Sequence, residues 1–83
     1  MSSDVQILPD RIKKLPPGVK EWRQDKIVLE LPEGVEYRDR LFEELQRRVP
    51  QNDLYAGATI ARLTNTWWDQ NKHEAHGIVE IYR

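Results

Sequence analysis

From Ala58 to Tyr82 apolar and polar positions alternate with a period of two, the pattern of β-strands whose side chains point to opposite faces. On the outgoing half, Ala61, Leu63 and Trp67 share one face, while Ile60, Arg62, Thr64, Thr66 and Trp68 share the other. On the return, Gly77, Val79 and Ile81 oppose His76, Ile78, Glu80 and Tyr82. Antiparallel partners lie on the same face, so loop length sets the register. An even loop places Leu63 opposite Glu80 and buries a carboxylate, which is costly without a partner. A five-residue loop, Asp69 to His73, instead pairs Leu63 with Val79, Ala61 with Ile81, Arg62 with Glu80 and Ile60 with Tyr82. That register is the one expected. Gly77 is then expected near Trp67, making room for the indole.

The periodicity changes to helical between Glu36 and Val49, where Tyr37, Leu41, Phe42, Leu45 and Val49 form one apolar stripe. The remaining positions are charged, with Glu36–Arg40, Arg40–Glu44, Glu43–Arg47 and Glu44–Arg48 at four-residue spacing. Acidic residues lead and Arg47–Arg48 close the segment, in keeping with the macrodipole, before Pro50 stops it. This accounts for Arg47 and Arg48 better than a phosphate clamp does. Between Val19 and Leu31 the alternation returns as a shorter hairpin, with Gln24–Asp25 as its turn and Ile27, Leu29 and Leu31 facing Trp22's side. Residues 1 to 18 read as an arm, because Pro9, Pro16 and Pro17 forbid a long helix or a central strand. Asp10 caps at most one helical turn through Arg11–Leu15, and Val5, Ile7, Leu8, Ile12 and Leu15 suit an arm docked on its own domain.

These elements predict an α+β fold for residues 19–83: a small antiparallel or mixed four-stranded sheet with one amphipathic helix on one face, in a grasp-like ββαββ order. The alternative is a three-stranded βαββ sheet in which Val19–Arg23 belongs to the arm. The face under the helix is expected to collect Trp22, Ile27, Leu29, Leu31, Leu41, Phe42, Leu45, Val49, Leu63, Trp67, Val79 and Ile81. The opposite face displays Ile60, Arg62, Trp68, Ile78, Glu80 and Tyr82, an aromatic patch around an Arg–Glu pair. Patches of this kind mark interaction sites.

At 83 residues the chain has room for one modest core. It contains no cysteine, which removes disulfides, thiolate metal sites and thiol catalysis. Thirteen Lys and Arg against 14 Asp and Glu give a net charge of −1, which disfavours nucleic-acid binding. No apolar run approaches a membrane span and no secretory signal is visible, so a cytoplasmic protein is expected. Serine occurs only at Ser2 and Ser3, and the four glycines stand apart, so neither a serine nucleophile nor a phosphate-cradling loop is expected. His73-Glu74-Ala75-His76, with Asp69 just before, resembles a metal motif only if helical; in a hairpin the two histidines diverge, and no metal or cofactor is expected. The acids are dispersed among bases, which argues against acid–base catalysis. The expectation is a non-catalytic module that binds a protein partner or itself, as a homodimer or within a larger assembly, through the outer face or edge of the hairpin. The alternative is single-stranded nucleic-acid binding, with Trp68 and Tyr82 as stacking platforms.

Overall fold

A computed structural model describes residues 5–10 and 14–83. Its elements run β1 (Gln6–Leu8), β2 (Glu21–Glu30), α1 (Tyr37–Arg48), a single 3₁₀ turn (Asp53–Tyr55), β3 (Ile60–Asp69) and β4 (Glu74–Tyr82). The four strands form one mixed sheet in the order β1-β3-β4-β2, so the architecture is α+β with the ββαββ element order. The helical turn expected over Arg11–Leu15 falls largely outside the described residues.

The first two strands differ from the expected hairpin. Gln24–Asp25 is no turn; β2 runs through it as one ten-residue strand, antiparallel to β4 from Glu21↔Tyr82 to Glu30↔Glu74. Two reasons are visible in the residues. A two-residue hairpin needs positive φ, which Gln and Asp supply poorly. Within the strand, moreover, the Asp25 carboxylate has partners waiting: the Tyr55 hydroxyl donates to it at 2.5 Å and Arg48 lies 3.4 Å away. The other early strand comes from the arm. Gln6–Leu8 pairs in parallel with Ile60–Arg62 at the far edge, placing Ile7 toward the helix and Leu8 on the opposite face. The first two strands thus occupy opposite edges of the sheet instead of lying side by side.

The helix matches its stripe. Leu41 and Leu45 are fully buried, Val49 closes the end, and Tyr37 and Phe42 pack partly buried beside them. Beneath lie Ile27, Ala61, Leu63, Ala75, Val79 and Ile81. Tyr55, from the 3₁₀ turn, completes this core; it is 1% exposed, and its ring fills the corner between the end of α1 and β2. Trp22 sits at a bulge in β2, packed against the core's rim with the guanidiniums of Arg23 and Arg83 at 3.8 and 4.9 Å from its ring.

Gly77 lies under the helix, and it makes room for leucines, not for the expected indole. A Cβ there would stand 3.0 Å from Leu63 Cδ1 and 3.4 Å from Leu41 Cδ1. Both leucines are buried and have nowhere to withdraw. Replacing Gly77 with Ala regains about 0.5–1 kcal/mol of backbone entropy but overpacks the core at about 1–3 kcal/mol. Gly77→Ala is therefore expected to lower stability by a net ~1 kcal/mol, read as a lower urea midpoint with an unchanged slope.

Candidate interaction surface

Strands β3 and β4 pair as expected at their base, with Ile60↔Tyr82, Ala61↔Ile81, Arg62↔Glu80 and Leu63↔Val79. Above Leu63 the register shifts by one: Asn65 faces Ile78, Trp67 faces His76 and Asp69 faces Glu74. Thr64 is the extra residue of a β-bulge, and its hydroxyl donates to the Ile78 carbonyl at 3.3 Å. The loop consequently has four residues, Gln70–His73, and not five. Asp69 Oδ1 accepts from the amides of Asn71 and Lys72 at 3.0 and 3.2 Å, and His73 takes the left-handed conformation, φ 53°.

The bulge exchanges the two hairpin tryptophans. Trp68, expected outside, lies on the helix side, its ring 6.1 Å from Tyr37. Trp67, expected inside, stands on the outer face, 38% exposed and stacked on His76 at 5.1 Å and 11°. An unbroken register would have carried Asn65 and Asp69 under the helix along with Trp67. One unpaired residue keeps an amide and a carboxylate out of the core, where either would be costly. The two histidines part as expected, His73 toward Trp68 and His76 onto Trp67.

Of the remaining outer-face residues, Ile60 and Tyr82 are not available to a partner. Both are buried, at 0% and 6% exposure, in a second cluster with Leu8 and covered further by Leu15 and Val19 of the arm. Arg62 and Glu80 bond at 2.9 Å as the register required. The Arg62 guanidinium also donates to the Tyr82 hydroxyl at 2.7 Å, and that hydroxyl donates to Glu80. The hydrogen bond to Glu80 leads in holding Arg62's pKa above its ordinary value. Burial, then the hydrogen bond to Glu80, raises that of the Tyr82 phenol. This triad is structural: the Arg62 Nη2, the Tyr82 hydroxyl and the Glu80 carboxylate bond one another, while Arg62 Nε is buried without a partner.

Past the triad, toward the hairpin tip, the outer face is uncovered. Trp67, His76, Ile78 and, on the neighbouring strand, Lys26 and Val28 line it. Among the described residues, Val28 (40%) and Trp67 (38%) are the exposed large hydrophobics, and they flank His76 from either side. Sequence alternation alone finds Ile78, leaves Val28 out of the patch and, without the bulge, selects the wrong tryptophan.

A cleft of about 400 Å³ beside the end of α1 is lined by Arg47, Arg48, Gln51, Asn52 and Asp53. Its cations are already engaged: Glu44 binds Arg47 at 2.6 Å and Arg48 at 2.9 Å, and Arg48 also meets Asp25. The hydrogen bond from Arg47 leads in holding the Glu44 carboxyl below its usual range. An incoming anion would have to displace these carboxylates.

Burial, followed by the bond to Asp25, likewise pushes the Tyr55 phenol well above the ordinary tyrosine range. Native Tyr55 and Tyr82 therefore keep protons that the unfolded chain sheds from about pH 10 upward. Their contribution is fully present below that pH and is lost as pH rises through the raised native values. The urea midpoint is expected to fall as pH climbs above about 10, and to fall less steeply in a Tyr55→Phe/Tyr82→Phe variant.

No family model, no curated protein and no solved structure matches this chain.

Proposed function

We propose that this chain is a non-catalytic interaction module that self-associates, two copies joining along the free edge of β2 so that the open halves of their outer sheet faces become continuous. The observation that carries this reading is the adjacency of Val28 and Trp67, exposed on either side of His76, next to an unprotected strand edge. Strand β2 lies at the end of the sheet and is ten residues long. Its first half is guarded against pairing by the bulge at Trp22 and by Glu21, Arg23, Asp25 and Lys26. The second half, Ile27–Val28–Leu29, has no charge, proline or bulge, which is the condition under which an edge accepts another strand.

The edge suits a second copy of itself. Antiparallel pairing of β2 with β2 about a twofold axis perpendicular to the sheet sets like faces side by side, so the two open half-faces merge into one. Val28 of each copy then lies at the centre, and Trp67, two strands in from the edge, bounds the merged apolar face on either side. A second reading rests on Lys26, whose ammonium lies 6.0 Å from the Trp67 ring, a cation beside an aromatic platform for a single-stranded nucleic acid. The carboxylates of Asp69, Glu74 and Glu30 at the same end of the sheet oppose it.

Sedimentation equilibrium tests the proposal. A concentration-dependent dimer is expected, converted to monomer by Val28→Lys at the centre of the contact. A monomer at about 1 mM, where association as weak as roughly 4 kcal/mol still registers, would overturn it. So would a dimer indifferent to Val28→Lys, or a monomer whose Trp67 emission is quenched by single-stranded oligonucleotides at low salt.

A further inference from the structure

The tip of the hairpin carries a row of acids. Asp69 on β3, Glu74 on β4 and Glu30 on β2 are consecutive cross-strand partners, so three carboxylates meet at one level of the outer face. Like charges directly opposite in a sheet repel. Among the described residues no Lys or Arg forms an ion pair with any of the three. Beside the row sits His76, two residues along β4 on the same face. One ligand atom each from Asp69, Glu74 and His76 lie within 4.8 Å of one another, and all three residues are half-buried.

We infer that Asp69, Glu74 and His76 form a binding site for a divalent first-row transition-metal ion of the zinc type. The state of the imidazole is the second, independent indication. Both ring nitrogens of His76 are buried and neither has a hydrogen-bond partner. An unsatisfied buried nitrogen is disfavoured, and here two occur on one ring. Nε2 stands 3.3 Å from Glu74 Oε1, close enough for an ion pair but outside hydrogen-bond geometry. Two ligands held about 2.0–2.1 Å from a tetrahedral zinc ion are separated by roughly 3.3 Å. The spacing therefore suits two donors that share an ion.

The third donor is already oriented. Asp69 Oδ1 is held by the loop amides of Asn71 and Lys72, which leaves Oδ2 for the ion and fixes the carboxylate as outer-shell hydrogen bonds do in metal sites. Trp67, stacked on the imidazole, fixes the ring plane and walls off one side. The donor chemistry selects the ion. An imidazole with two carboxylates suits zinc and its neighbours, whereas calcium and magnesium favour oxygen alone. Three protein donors leave the fourth position to water. The ion would tie β3 to β4 across the mouth of the loop and cancel two of the three charges of the acidic row, and this site stands whether or not the chain dimerises.

Isothermal titration of the chelator-stripped chain with zinc chloride tests the site, with circular dichroism to verify the fold of each variant. Saturable binding of one ion per chain is expected. His76→Ala, Asp69→Asn and Glu74→Gln should each weaken it by at least tenfold, since even outer-shell losses cost about 10–100-fold, while His73→Ala should leave it within twofold. A melting temperature that rises with zinc in the wild type but not in His76→Gln, which keeps a polar planar group on Trp67, gives a second readout. Absence of saturable binding, or binding that survives His76→Ala and is lost in His73→Ala, would overturn the assignment.

Discussion

The extra residue in β3 decides which side of the sheet each group at the hairpin tip occupies. Below Thr64 the strand is in the register that opposes Leu63 to Val79 and Arg62 to Glu80; above it, every side chain has changed face. Neither half could adopt the other's register without harm. Continuing the lower register upward would turn Asn65 and Asp69 toward the helix. Continuing the upper one downward would set Leu63 against Glu80 and bury that carboxylate. The bulge costs one ladder position, and the Thr64 hydroxyl bonded to the Ile78 carbonyl offsets part of it. With the bulge in place, Trp68 fills the space beside Tyr37 while Trp67, Asp69, Glu74 and His76 all come to one outer corner. The tip's chemistry depends on that single insertion.

A chain this short cannot leave both faces of a four-stranded sheet open and remain folded. The helix covers the middle of one face, leaving Trp22, Leu29 and Trp68 partly buried at its rim, and the arm covers half of the other. Leu8 enters as part of β1, and Leu15 and Val19 lie over Ile60 and Tyr82 as the chain crosses toward β2. The Arg62–Glu80–Tyr82 triad stands where that cover ends. Its position is physically reasonable, because an ion pair cross-linked by hydrogen bonds to a phenol tolerates an environment that is apolar on one side and wet on the other. The cover stops there, and the surface beyond it carries Trp67 and Val28 exposed.

How far the sequence discloses this arrangement depends on the range of the forces involved. The helix is local: stripe, charge order and Pro50 all lie within Glu36–Pro50, and the observed Tyr37–Arg48 falls inside the expected span. The lower hairpin register was also legible, because one buried carboxylate suffices to exclude its neighbours. The continuity of β2 was not, since the residues that make Asp25 welcome in a strand, Tyr55 and Arg48, lie 30 and 23 positions away. Tyr55 and Leu54 are expected to pack from their crossover loop, and Tyr55 does; its bond to Asp25 is out of the sequence's reach for the same reason. The arm's docking was foreseen from its apolar content, but not its pairing, because a three-residue parallel strand has no periodicity to detect. The bulge had a signal that alternation alone passes over: with a tryptophan at both 67 and 68, the pattern leaves the choice of face to Asn65 and Asp69, and both belong in water.

The proposed contact and the proposed metal site share the strand that ends in Glu30. With Val28 at the twofold axis, antiparallel pairing would set Glu30 of each copy opposite Lys26 of the other, so the two acidic rows would lie at opposite ends of the joined sheet and each would meet a cation across the edge. An ion held by Asp69, Glu74 and His76 would cancel two of the three charges in each row without disturbing that pairing. The two therefore answer to different parts of the chain: the bulge at Thr64 brings Asp69 and Trp67 to the face that carries Glu74 and His76, while the uncharged run Ile27–Val28–Leu29 leaves the edge open.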